Sequence, residues 1–330
     1  MMLPSNSTEL AAEDSVLEGY HGAVQLTGSS HRLSSLMAKP SISLLLPTRG
    51  RPNLVKRLFR SIVENSSQVE RVEVILYVDE DDKCSHELRS DELRVVPIIG
   101  PAMSMGSYNT ACLKRACGDI LVLANDDMVI GTSGWDDRLI EIDKLFSDKI
   151  YLAYGNDLFK KGNMPTFPII SRRTSELLVD PYPAAYRGAF IDIHLFDIFK
   201  RLQQEGFDRI RYLDDLIFEH LHYRAGKATC DATYKRRGRF EDDPTFVAMA
   251  RSRSAAAKRI LSALRQEPMP EFEKIECREF VPLNALSAIR YFSRQFLGDH
   301  ELPLRWRTFL CYWFIGRHLA ARGRLWPLVR

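Results

Sequence analysis

The chain has no Cys-x-x-Cys pair. Its six cysteines, Cys84, Cys112, Cys117, Cys230, Cys277 and Cys311, are scattered, which argues against a zinc knuckle or a disulfide framework and reads as reduced thiols. It has no uninterrupted apolar span of bilayer length, and its first forty residues hold no stretch apolar enough for a signal peptide. A soluble, cytoplasmic protein is therefore the expectation. It has little net charge, +3 from 46 basic and 43 acidic residues, and no RNA- or DNA-binding signature accompanies it, so nucleic acid is not an expected partner. What remains is ordinary globular composition, 330 residues with 45% hydrophobic and 27% charged, enough to bury one large core or two smaller ones.

One stretch stands out, Gly118-Asp119-Ile120-Leu121-Val122-Leu123-Ala124-Asn125-Asp126-Asp127-Met128. Its apolar run has the length of a strand covered on both faces, and such strands in parallel sheets carry ligand-binding groups at their carboxyl ends. Asp126 and Asp127 fall at that end. Two adjacent carboxylates repel one another unless a cation lies between them, and a hard divalent ion beside phosphate oxygens is the usual solution. The alternative is a solvated turn that caps the following helix.

Residues 1–39 are rich in Ser, Gly and short polar runs and read as a flexible leader. From Ser41 the texture changes. Ile42 to Leu46 is a continuous apolar strand ending in Pro47-Thr48-Arg49-Gly50-Arg51-Pro52, and Leu54, Leu58 and Ile62, widened by Val55 and Phe59, give a helical stripe. Val72 to Val78 is a second strand, ending at Asp79, and Arg94 to Ile99 a third. Helices are expected at 106–117 and through Trp135, Leu139, Ile142 and Phe146. A further strand is expected at Lys149 to Tyr154. Alternation of this kind indicates an α/β fold with a mostly parallel sheet flanked by helices. Right-handed crossovers then gather the carboxyl ends of the strands, and with them Thr48, Asp79 and Asp127, on one edge.

The stretch 155–188 shows no periodicity and is expected to be a loop, with Arg172, Arg173 and Arg187 free to meet phosphate or an anionic acceptor. Asp192 precedes Leu195, Phe199 and Leu202 at helical spacing and is expected to cap that helix. Asp197 lies opposite the stripe and is expected to face solvent. Arg211 to Leu221 reads as a strand whose period of two sets His220 and His222 on one face, where imidazole suits a first-row divalent ion. Residues 244–330 are helical, basic and aromatic-rich; 305–330 carries six arginines and no acid. Two readings stay open for this region: helices folded back on the core, or a peripheral contact with an anionic membrane.

Between Ser41 and Tyr234 these residues resemble metal-dependent nucleotide-sugar glycosyltransferases of the GT-A fold, in the family 2-like branch and its bacterial and phage-type subset. Pro47-Thr48-Arg49-Gly50-Arg51 looks like the family's opening nucleotide-binding loop. Asp79 stands where an acid meets base or ribose, and Asn109, Ala116 and Gly118-Asp119 resemble the run into the metal motif. Asn125-Asp126-Asp127 occupies the place of the Asp-x-Asp motif, departing from it at the first position. His220, followed by His222, resembles the returning metal-binding histidine, and Gly226-Lys227 with Asp231 and Tyr234 fits the subset.

The resemblance implies a catalytic domain over 40–243 with a helical extension over 244–330, and sugar transfer with inversion, of the kind used in polysaccharide biosynthesis. The donor expected is a nucleotide sugar, a UDP-sugar by family frequency, with Mn²⁺ or Mg²⁺ as cofactor. The acceptor class, saccharide, lipid-linked or protein, stays open. Asp127, Asp126, His220 and His222 are the metal-ligand candidates. Pro47, Thr48, Arg49, Arg51, Asp79, Asn109, Asn125 and Asp126 are the nucleotide-side candidates, and Asp192, with Asp197 behind it, is the candidate general base. A nucleotidyltransferase is the competing enzyme class, although the Gly-rich loop followed by Lys with which such enzymes begin is missing. A non-catalytic sugar- or nucleotide-binding protein of the same fold is the other alternative.

Overall fold

The computed structural model describes residues 41–229 and 238–324, which fall in one compact unit, Ala38–Arg330. The expected leader, Cys230, Asp231 and Tyr234 lie outside the described residues. In chain order the elements are β1 (Ile42–Thr48), α1 (Pro52–Asn65), β2 (Val72–Asp79), β3 (Arg94–Gly100), α2 (Met105–Arg115), β4 (Ile120–Leu123), β5 (Met128–Ile130), α3 (Trp135–Leu145) and β6 (Leu152–Asn156). They continue with β7 (Ile169–Ser171), α4 (Arg172–Leu178), α5 (Ile191–Gln204), β8 (Ile210–His220), α6 (Asp243–Ala248) and α7 (Ala250–Arg265). Last come α8 (Ala285–Phe292), a π-helical turn at Ser293–Leu297, and α9 (Leu304–Ala321).

The strands form one sheet in the order β3-β2-β1-β4-β7-β6-β8-β5. β3, β2, β1 and β4 are parallel neighbours, and β6 and β8 are parallel to each other. β7 runs against β4 and β6, and β5 against β8. The α/β expectation with a mostly parallel sheet holds. β1, β2 and β4 are buried along their whole length, as strands covered on both faces must be. Alternation divides the core: Leu44, Val74 and Val122 meet Leu58 and Ile62 of α1 and Trp135 of α3, whereas Leu45, Ile75 and Leu121 belong to the layer built with α5, α7 and α9.

Three expectations change. The stretch 155–188 is not all loop, because it contains β7 and α4, and Ser171 caps α4 by accepting from Thr174 N at 2.9 Å. Three strand residues are too few for periodicity to register. Arg172 does not reach for an anion, since its guanidinium donates to the carbonyls of Ala116 and Gly118 and so braces the turn into β4. That turn needs glycine: a Cβ on Gly118 would lie 2.7 Å from Ser43 N and Oγ.

The third change concerns Asp197, which is fully buried rather than solvent-facing. α5 buries Ile193, Phe196 and Ile198 as well as Leu195, Phe199 and Leu202, because α7 and α9 cover the side that an isolated amphipathic helix would leave wet. Asp197 accepts from Arg253 Nε at 2.7 Å, Arg201 Nε at 3.2 Å and Trp306 Nε1 at 2.9 Å. Burial pushes its carboxyl up, but Arg253 and Arg201 with the Trp306 donor outweigh that and hold it below the usual carboxylate value. Asp197 is thus the bolt between α5, α7 and α9 and has no route to a substrate hydroxyl. The region from 244 is continuous with the core, since Phe246, Ile260, Phe292, Trp306 and Phe314 share one cluster with Leu45 and Leu121.

Candidate functional site

The ends of β1 and β4 meet as their parallel pairing requires. Thr48 Oγ1 donates to Asp126 Oδ2 at 2.8 Å and Arg51 Nη1 to Asp126 Oδ1 at 2.9 Å, with both partners of the ion pair almost wholly buried. Each residue of the 49–51 loop is tied to a carboxylate. Arg49 bonds Asp79 and Asp81, and Gly50 N donates to Asp82 Oδ2 at 2.7 Å. Gly50 sits at φ +68°, a left-handed conformation that suits glycine. Asp79 also accepts from the Tyr108 hydroxyl at 2.5 Å, and the Tyr77 and Tyr108 rings lie 4.8 Å apart. This edge carries an acid, an arginine and an aromatic pair.

Asp126 is therefore a braced residue, each of its oxygens accepting one hydrogen bond, from Thr48 and from Arg51. Burial pushes its carboxyl above the usual value; Arg51 pulls it down, and the Asp127 charge adds to the rise. Asp127 is the neighbour that turns elsewhere. β5 pairs with β8 so that Met128 lies opposite His220, and this register brings Asp127 Oδ2 to 3.2 Å from His220 Nε2. Leu221 N closes the junction on Asp127 O at 2.9 Å.

His220 is set in an aromatic frame, with ring centroids 5.2 Å from Phe167, 6.5 Å from Phe159 and 4.9 Å from His222. Its Nδ1 is buried without a hydrogen-bond partner among the described residues. Asp157, which sequence reasoning missed, builds this frame. Its Oδ1 accepts from the N–H groups of Phe159, Lys160 and Lys161 at 2.9, 2.6 and 2.7 Å, and its Oδ2 from Thr166 Oγ1 at 2.6 Å. Its carbonyl accepts from His220 N at 3.1 Å. An Asp followed by a turn is a recognisable loop-capping signal, but its partner strand is not readable locally.

His222 does not share a strand face with His220 to the end, because β8 stops at His220. The His222 ring stacks on Phe159, 6.4 Å away and 9° from parallel, and its Nδ1 accepts from Arg224 N at 3.1 Å. That bond spends one ring nitrogen on capping a turn. Asn109 is buried and its amide donates back to Met105 O at 3.0 Å, so it supports α2 from within. Pro47 is buried inside β1 opposite Tyr77 and guides the backbone. Asn125 is half-buried, and its carbonyl accepts from Met128 N at 3.1 Å to make the turn between β4 and β5.

Asp192 lies in the first turn of α5, one residue inside the helix, because Phe190, left-handed at φ +70°, takes the cap position. Its Oδ1 accepts from Ile193 N at 2.8 Å, and it is half-buried. The loop leading to it is held from outside: Asp242 accepts from the N–H groups of Arg187, Gly188 and Ala189 at 2.9, 2.8 and 2.7 Å. Between the start of α1 and the segment after β8, a cleft of about 260 Å³ is lined by Gly50, Arg51, Leu54, Arg57, Leu221 and Thr229.

Asp127 and His220 together fit a hard divalent cation. The donor set is one carboxylate and, in the tautomer that carries its proton on Nδ1, one imidazole nitrogen, and their 3.2 Å separation is close to the roughly 3 Å between adjacent ligands of an octahedral ion with bonds of about 2.1 Å. Among the described residues no group of three or more His, Cys, Asp and Glu is gathered for a metal.

No family model and no curated protein matches this chain. Among solved structures it is similar to a mannosyltransferase from Pyrobaculum calidifontis in complex with GDP-Man and Mn²⁺, at 15% identity over 89% of each chain with a TM-score of 0.43. It is similar to S. aureus TarS in complex with UDP-GlcNAc, at 12% identity over 86% of this chain and 92% of that one, TM-score 0.46. A third is glucosyl-3-phosphoglycerate synthase from Mycobacterium tuberculosis in complex with Mn²⁺, UDP and phosphoglyceric acid, at 19% identity, 73% and 83% coverage and a TM-score of 0.40.

Proposed function

We propose that the protein is a metal-dependent glycosyltransferase that moves a sugar, with inversion, from a nucleotide sugar to an acceptor hydroxyl. The observation that carries the reading is the Asp127–His220 pair, drawn together from β4 and β8 at the edge where the 49–51 loop also ends. A bound Mn²⁺ or Mg²⁺ would supply Lewis-acid stabilisation of a departing diphosphate. Asp127 and His220 would hold it, and Asp126, locked by Thr48 and Arg51, adds negative potential behind them without changing place.

On the nucleotide side, the partly exposed Arg49 and Tyr108 offer charge and an aromatic surface of the kind that recognises a base and ribose, and the buried Asp79 and Tyr77 hold them in place. The donor proposed from the resemblance is a UDP-sugar, and the acceptor a saccharide, lipid-linked or protein hydroxyl. Asp192 is the proposed base: it is half-buried in the first turn of α5, just after the loop that Asp242 fixes, and needs no part in metal binding.

Calorimetric titration of UDP with Mn²⁺ and with EDTA tests the reading. Mn²⁺-dependent binding in the wild type that disappears in a folded Asp127→Ala variant is the expected result. Equal binding with and without the ion, or in the variant, overturns it. His220→Ala should weaken the same binding more than His222→Ala, since the His222 ring is committed to Phe159 and Arg224 N.

A further inference from the structure

The C-terminal helices bury one side in the core, and among the described residues nothing covers their apolar, cationic other side. α8 buries Ala288 and Phe292. On its other face and just before it, Leu283 is 88% exposed, Leu286 57% and Ile289 44%. Large aliphatic side chains repeated on one exposed stripe are costly in water. Arg290 and Arg294 follow the same exposed course, and Arg305 is exposed at the start of α9. None of these three arginines has a carboxylate partner among the described residues.

The charge pattern is one-sided. From 280 to 324 the sequence holds only two carboxylates, Asp299 and Glu301. Arg201 of α5 takes both, at 2.7 and 2.8 Å, and Lys258 adds to Glu301 at 3.0 Å. The acids of this region are thus neutralised towards the core, while arginines and aliphatics are left outside. Two copies of such a face would set arginine against arginine, which disfavours self-association. An apolar stripe with interspersed arginines matches an anionic bilayer surface, where aliphatic side chains enter the acyl boundary and guanidinium groups remain among the phosphates.

We infer that the α8 face, with Leu283, Leu286 and Ile289 as the inserting side chains and Arg290, Arg294 and Arg305 as the phosphate-facing charges, is a docking surface for anionic lipid bilayers. The inference rests on nothing in the candidate donor site and holds whatever that site transfers. Among the described residues no helix is long and apolar enough to cross a membrane, and the contact inferred is interfacial.

Sedimentation of the full-length protein with vesicles tests it, using phosphatidylcholine alone and phosphatidylcholine mixed with phosphatidylglycerol. Binding to the mixed vesicles only, weakened by salt, is expected. A Leu283→Gln, Leu286→Gln, Ile289→Gln variant should lose about tenfold or more in apparent affinity with an unchanged melting temperature, since none of the three is part of the core. An Arg290→Glu, Arg294→Glu variant should lose binding to the mixed vesicles as well. No binding, equal binding to both vesicle types, or wild-type binding by the triple variant overturns the inference. So does a concentration-dependent dimer in ultracentrifugation that the triple variant abolishes, because a second copy would then be what covers this face.

Discussion

Asp126 and Asp197 are both buried and both meet arginine, yet their surroundings drive them in opposite directions. Asp197 accepts from two guanidinium groups and an indole, and its carboxyl is held below the usual value despite burial. Asp126 has one guanidinium and one hydroxyl, and beside it stands the like charge of Asp127; burial with that neighbour leaves its carboxyl raised. A buried charge answered by excess opposite charge is a fixed structural element. One answered incompletely, next to a second carboxylate, has electrostatic tension that a cation would relieve. The latch between the C-terminal helices and α5 is electrostatically finished; the edge where β1, β4 and β8 end is not.

The same division runs along α5, where Asp192 and Asp197 have been assigned different work. Asp192→Asn keeps size and the acceptor for Ile193 N, so donor binding and melting temperature should stay near wild type. Loss of a general base should lower turnover by roughly 10²–10⁴. Steady-state kinetics beside thermal unfolding measures both, and wild-type turnover in Asp192→Asn would remove it as the base.

Asp197→Asn reverses the profile. It leaves Arg253 and Arg201 buried without their shared anion, and breaking a buried pair from one side costs about 3–5 kcal/mol. Denaturant unfolding should record that loss. A stability change under about 1 kcal/mol would mean that Asp299 and Glu301 suffice to neutralise this cluster, and the comparison with Asp126 would fail. The acid limit has a sign as well. Because the folded carboxyl is depressed, the stability it provides is fully present above the ordinary aspartate value of 3.8 and is lost as pH falls below it towards the folded value.

That Asp197 lies inside the protein was not legible in the sequence, and the reason is physical. An amphipathic stripe reports which side of a helix meets its first neighbour; α7 and α9 arrive later in the chain and cover the second side. Arg201 lies one turn on from Asp197, whereas Arg253 and Trp306 converge on it from far along the chain. β1, β2 and β4 were legible because continuous apolar runs stopped sharply at polar residues, and α1 because its stripe is regular. β7 was too short to register, and Asp157 and Asp242 act on backbone N–H groups whose positions only the fold defines. The Asp127–His220 approach was expected from the resemblance, while the commitment of Asp126 to Arg51 depended on where the chain turns after β1.

His194 sharpens the contrast from a third position. Its Nδ1 lies 2.9 Å from the Tyr186 hydroxyl, and both side chains are buried. Burial first, then the Arg253 charge, lowers its pKa well below the ordinary 6.5, with Asp197 opposing in part. The folded protein keeps it neutral while the unfolded chain protonates it, so stability is unaffected above about pH 6.5 and declines below, by up to about 1.4 kcal/mol per pH unit. Unfolding free energies between about pH 7 and 5 should show the decline, and His194→Gln should reduce it, with His318, also lowered by burial, leaving a residue of slope. An unchanged slope in the variant would show that His194 titrates alike in both states.

The smallest effect is expected where the comparison is most direct. Asp127→Asn is the same chemical change as Asp197→Asn, an oxygen replaced by an amide nitrogen at a buried aspartate, but here a repulsion disappears. The amide, able to donate or to accept, keeps the contact with His220 Nε2 in either tautomer, and Asp126 keeps Thr48 and Arg51 while losing a like charge beside it. Without metal the variant should therefore be as stable as wild type or more so by up to about 1 kcal/mol, the worth of less than one unit of carboxyl pKa. Any rise in melting temperature that Mn²⁺ gives the wild type should vanish, because binding to the folded state alone is what produces such a rise. Thermal unfolding in EDTA and in Mn²⁺ reads both. A loss of several kcal/mol in EDTA would make Asp127 a structural partner of the kind Asp197 is, and the charge at the end of β4 would then be satisfied by the protein itself, with no call for a cation.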